Sequence, residues 1–116
     1  MDSLALANKI ADIALDKQAS DILILDLTDI TTITDYFVIC SGDNRRQLHA
    51  LESSIQEEMK KGEERILPLS SEGTPESGWI LLDYNSVIVH LFSEDMRDYY
   101  ELEELWDAGR VVARIQ

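Results

Sequence analysis

The sequence predicts one α/β domain, residues 1–116, with a mixed sheet of about five strands and helices packed mainly on one face. Three observations carry that expectation. Helical and strand-like hydrophobic patterns follow one another in the order α-β-β-α-β-β-β-α. No repeat, low-complexity tract or linker divides the chain. Its 116 residues, 45% of them apolar, suffice for one hydrophobic core.

The first helix is read from Leu4, Ala7, Ala11, Ala14 and Leu15 at helical spacing, with Asp2 or Ser3 as its cap. "DILILDL" (residues 21–27) is an apolar run bounded by acids and fits a buried strand. The β-branched connection "DITTIT" leads to "YFVICS", a second strand stopped by Gly42. Asp43 or Asn44 then caps a helix whose stripe is Leu48, Leu51, Ile55 and Met59, and Gly62 ends it. "RILPLS" is expected as an edge strand, because Pro68 cannot donate to a ladder. "SEGTPESG" reads as a loop leaving the sheet and returning. "GWILLDYNSVIVHLF" (residues 78–92) supplies two strands around a tight turn. A last helix is expected from a Ser93 cap to Trp106, with Glu94 and Asp95 in its first turn, followed by a short apolar-basic tail.

The hairpin carries the most chemistry. A two-residue turn at Asn85-Ser86 pairs Tyr84 with Val87, and outward to Trp79 with Phe92. One face is then plain core: Ile80, Leu82, Tyr84, Val87, Val89 and Leu91. The other holds Trp79, Leu81, Asp83, Ile88, His90 and Phe92. A helix over this second face would make it a further core layer; left open, it is an apolar patch of the kind that marks a protein–protein site. The helices are few for covering both faces, which favours exposure. Tyr99, Tyr100 and Trp106 would pack on the sheet as a helix stripe, or extend the patch together with Arg97.

Asp83 and His90 share that face, so an acid orienting a base is conceivable, but no nucleophile accompanies them. Cys40 lies inside an apolar strand, and His49, His90 and Cys40 lack ligand spacing, so neither catalysis nor a metal is expected. "FVICSGDNRRQ" offers a helix start with Arg45 and Arg46, yet a single glycine is a weak phosphate cradle and Asp43 repels an anion. The formal net charge of −13, from 10 basic and 23 acidic residues, opposes binding to nucleic acid. One cysteine suits a reducing compartment. With no membrane-spanning run and no secretory signal, a soluble cytoplasmic protein is expected.

"TDYFVICSG" (residues 34–42), "RQ" (46–47), "EG" (72–73), "GWILLDY…VIVHLF" (78–92) and "RDYYELEELW" (97–106) together resemble the ribosomal silencing factor family, also called RsfS or Iojap-like proteins. The resemblance implies a nucleotidyltransferase-like topology without transferase chemistry or cofactor. It implies binding to the fourteenth protein of the large ribosomal subunit, on the face that meets the small subunit. Blocked subunit joining and damped translation follow, with a homodimer when free. The partner surface carries over onto Trp79, Leu81, Asp83, Tyr84, Ile88, His90, Phe92, Arg97 and Tyr100. One departure is Asn85-Ser86 where the family has Gly-Asp; Asn tolerates the left-handed backbone of such a turn. The alternative is a phosphate- or nucleotide-binding enzyme of nucleotidyltransferase type, which would need paired carboxylates on adjacent strands.

Overall fold

Asp2 caps the first helix, α1 (Ser3–Asp16), by accepting from the Ala5 amide at 2.7 Å. Its buried side is Leu6, Ala7, Ile10, Ala11, Ile13 and Ala14, with Leu4 and Leu15 exposed. The stripe is therefore turned from the expected Leu4–Leu15 line, and its alanines let the helix lie close to the sheet. The structure, a computed structural model, describes residues 1–102 and 109–115.

Strands β1 (Ser20–Asp26) and β2 (Tyr36–Gly42) are antiparallel and almost wholly buried. Helix α2 (Arg45–Lys61) follows, capped by Asn44, and buries Leu48, Leu51, Ile55 and Met59 as its periodicity requires. After β3 (Ser70–Thr74) and a 3-10 turn at Pro75–Ser77 come the hairpin strands β4 (Trp79–Asp83) and β5 (Val87–Ser93). Helix α3 (Glu94–Tyr100) starts at a Ser93 cap and stops where Glu101 turns left-handed at φ 48°. Strand β6 (Arg110–Ile115) closes the described chain.

The six strands are ordered β3-β4-β5-β2-β1-β6, with β2 and β5 parallel and the other pairs antiparallel. Helices α1 and α2 cover one face over the main core, which includes Ile10, Ile24, Val38, Leu51, Ile55, Leu82 and Val89. The opposite face holds a smaller cluster of Leu23, Leu25, Leu27, Phe37, Ile39, Phe92 and Leu102, onto which Trp79, Ile88, Met96 and Tyr100 pack.

Three expectations need correction. The sheet has six strands, because the apolar-basic tail pairs with β1 through Asp26–Arg110 and Ile22–Ile115. The third strand lies in "SSEGT" instead of "RILPLS". Pro68 breaks the run, and the ladder begins with the Leu69 amide donating to Asp83 O at 2.7 Å. Gly73 makes that pairing possible: its φ is 84°, and a Cβ there would run into the Trp79 carbonyl. The last helix does not run unbroken to Trp106, since Glu101 interrupts it; Trp106 itself lies outside the described residues.

Candidate functional site

The hairpin register is the one counted from Asn85-Ser86: Asp83–Ile88, Leu82–Val89, Leu81–His90, Ile80–Leu91 and Trp79–Phe92. Asn85 takes φ 72°, and its amide donates to the Asp83 carboxylate at 2.7 Å, so Asp83 braces the turn. Pairing thus places Trp79, Leu81, Asp83, Ile88, His90 and Phe92 on the sheet face opposite α1 and α2.

Helix α3 packs on this face, where Trp79, Leu81, Asp83 and Ile88 remain only half-buried. Its entry depends on Gly78, at φ 78°, where a Cβ would approach Met96 Cγ and Ser93 Oγ to 2.7 Å. The Ser93 amide donates to Gly78 O at 2.9 Å, fastening the start of α3 to the start of β4. Beneath the helix Trp79 stacks on Phe92 with centroids 5.2 Å apart, and the Tyr100 ring lies 4.4 Å from the indole. His90 sits behind them, 4.6 Å from Phe37 in an edge contact.

The surface residues divide by depth. Trp79, Leu81, Asp83, Ile88 and Tyr100 are half-buried and reach solvent. His90 (4% exposed) and Phe92 (0%) form the layer beneath. Tyr84 faces the α1/α2 side within the main core, where burial pushes its phenol up to about 12. Arg97 is 5% exposed and points inward to β1 and β2. Its Nη1 donates to Asp21 O at 2.5 Å and to Ser41 Oγ at 3.1 Å, and its Nη2 lies 3.4 Å from the Asp21 carboxylate.

Asp83 and His90 are engaged separately. His90 Nδ1 accepts from Trp79 Nε1 at 3.2 Å, while Asp83 serves the turn. Burial pushes the imidazole down to about 4, which keeps it neutral near pH 7. Cys40, fully buried, is pushed up to about 12 and is a poor nucleophile. At the start of α2, Gln47 Oε1 accepts from the Asp43 amide at 2.5 Å and Asn44 Oδ1 from the Gln47 amide at 2.8 Å. Those side chains take up two of the amides at this helix start, those of Asp43 and Gln47. Among the described residues no group of three His, Cys, Asp or Glu is arranged to hold a metal ion.

What the arrangement offers is a groove of about 360 Å³ between β3, β4 and α3, lined by Trp79, Leu81, Met96, Tyr100, Glu72, Gly73 and Ser77. Its floor is aromatic and aliphatic. Between residues 66 and 102 the sequence has seven acids against one cation, Arg97, which is turned inward. The sequence reasoning missed Met96 and Asp21. Met96 lies beside the flagged Arg97, and Asp21 has no local pattern, since its partners are 76 and 93 residues away.

The family described as ribosomal silencing factor during starvation (RsfS) matches residues 1–116. The ribosomal silencing factor RsfS of Bacillus subtilis is 42% identical over 91 residues, covering 78% of this chain and 75% of that protein. A crystal structure of a Chromobacterium violaceum protein superposes with a TM-score of 0.85 at 31% identity, covering 92% of this chain and 88% of that one. A mouse relative named mitochondrial assembly of ribosomal large subunit protein 1 is 35% identical over 91 residues, covering 78% of this chain and 40% of its own length.

Proposed function

Because the chain belongs to the ribosomal silencing factor family, we propose that it docks on the large ribosomal subunit and sterically prevents the small subunit from joining. The contact is made through the groove at Trp79, Leu81 and Tyr100 and the half-buried Ile88 on the same sheet face, against the subunit's fourteenth protein, with Asp83 at the hairpin tip. His90, Phe92 and Arg97 support that surface from beneath, and Tyr84 supports it from the far side of the sheet.

The observation that carries this reading is an aromatic groove with an acidic surround. Trp and Tyr are the usual anchors of protein interfaces. The net charge of −13 repels RNA and attracts a basic ribosomal protein, which steers encounter while apolar contact holds the complex. The mouse relative's name, mitochondrial assembly of ribosomal large subunit protein 1, also points to a large ribosomal subunit. No chemistry is required, so the protein acts as a non-enzymatic repressor of translation in the cytoplasm. A phosphate- or nucleotide-binding enzyme is less favoured at the start of α2, where the Asp43 and Gln47 amides are held by Gln47 and Asn44 side chains and the Asp43 carboxylate faces any anion with like charge.

Co-sedimentation with isolated subunits tests the docking. The protein should travel with large subunits and not with small ones; equal partition would overturn the reading. Free protein is proposed to form a homodimer, which light scattering at rising concentration should reveal.

A further inference from the structure

We propose that Arg97 is a positioning residue for the docking groove, holding α3 at the height that sets Tyr100 against Trp79. The inference builds on the docking reading and gives Arg97 a role beneath the surface instead of on it.

Helix α3 has seven residues, well below the ~12–15 at which an isolated helix becomes even marginal in water. Its place is therefore set by what it touches. Its apolar contacts are on the outer sheet face, where Met96 and Tyr100 join the Phe92 cluster. Such contacts are non-directional, and the Ser93–Gly78 bond fastens only the start of the helix, so the height of its far end is left to be set. Arg97 adds direction. Its guanidinium, 5% exposed, reaches Asp21 O at 2.5 Å, Ser41 Oγ at 3.1 Å and the Asp21 carboxylate at 3.4 Å. A planar fork fixes both distance and orientation, which a single ammonium cannot.

The receiving end is equally specific. Asp21 has φ 46°, in the left-handed region, where the β1–β2 register shifts between Ser20 and Leu23. This irregularity leaves Asp21 without a partner in the β1–β2 register and presents its carbonyl to Arg97. Arg114 of β6 also holds the Asp21 carboxylate, at 3.0 Å. Arg97 and Tyr100 are three residues apart on α3, so anchoring the first sets the reach of the second. The Tyr100 ring stands 4.4 Å from the indole of Trp79, the groove's central side chain.

The experiment uses the full chain carrying Trp106→Phe, so that Trp79 is the sole tryptophan. Arg97→Lys, Asp21→Asn and Tyr100→Ala are made singly, and the lysine and alanine changes are combined. Binding to purified large subunits, Trp79 emission and the urea midpoint are measured. Arg97→Lys should weaken binding on the order of tenfold and shift Trp79 emission to the red, a loss of binding larger than the accompanying fall in the urea midpoint accounts for. Asp21→Asn should act in the same direction more weakly. In the Tyr100→Ala background Arg97→Lys should cost nothing further. Additive losses would mean that Arg97 acts independently of Tyr100, and would overturn the proposal; so would a loss of binding that merely tracks lost stability. Unchanged emission would overturn it even if binding fell. Should the unsubstituted protein, with Trp106 intact, fail to bind large subunits, the docking reading falls and the groove's role with it, while a red-shifted emission in the Trp106→Phe background would still uphold the Arg97 anchor.

Discussion

The indole Nε1 of Trp79 donates to Nδ1 of His90 at 3.2 Å, diagonally across the β4–β5 hairpin. This bond ties the groove's main surface residue to a buried one. It also fixes the tautomer, because an accepting Nδ1 leaves the proton on Nε2. An imidazole in this position braces the indole, with its Nδ1 lone pair taken up by that bond.

His90 should therefore titrate far below an ordinary histidine. Burial lowers it from 6.5 to about 4. The unfolded chain takes up its proton as pH falls through about 6.5, and the folded chain only near 4. The stabilisation is thus complete above about pH 6.5 and is lost on acidification towards 4, to the extent of roughly 3 kcal/mol. Proton NMR of the His90 ring should show a midpoint near 4; a midpoint near 6.5 would contradict the burial described.

Trp79→Ala should weaken binding to large subunits by about 2 kcal/mol or more, the amount typical of an aromatic anchor. Trp79→Phe keeps stacking on Phe92 but loses the bond to His90, and should lose less. Isothermal titration with purified large subunits measures both, with circular dichroism confirming the fold. Wild-type affinity in a folded Trp79→Ala protein would move the contact elsewhere.

Gly78→Ala should destabilise by roughly 1–3 kcal/mol, since φ 78° is costly for alanine and the new methyl group meets Met96 and Ser93. Because those residues begin α3, the same change should weaken docking by more than a comparable surface substitution. Urea unfolding and subunit binding, measured together, check both effects.

Cys40 should react with alkylating agents only when the chain opens. Its thiol is fully buried and pushed up to about 12. Labelling followed by mass spectrometry should proceed at the rate of opening. Rapid labelling under native conditions would show that β2 is accessible.

The sequence revealed what short-range pattern encodes. The hairpin register followed from one turn, because residues alternate faces from a fixed starting pair. The α2 stripe followed from its spacing. Strand β3 did not, because Ser, Gly and Thr give no alternation and the strand exists by pairing with β4. Strand β6 was hidden for a similar reason: its partner on β1 lies far away in sequence, and ion pairs Arg110–Asp26 and Arg114–Asp21 help secure it. For the groove, the face was legible but the depth was not. Arg97 looked like a surface cation until the chain brought Asp21 beneath it.

The most direct measurement is subunit joining on a sucrose gradient, with purified subunits and added protein. Wild-type protein should reduce the joined-ribosome peak and raise both free-subunit peaks in proportion to its occupancy. Trp79→Ala at the same concentration should leave joining nearly intact. An unchanged joined peak with the wild-type protein saturating the large subunit would contradict steric silencing.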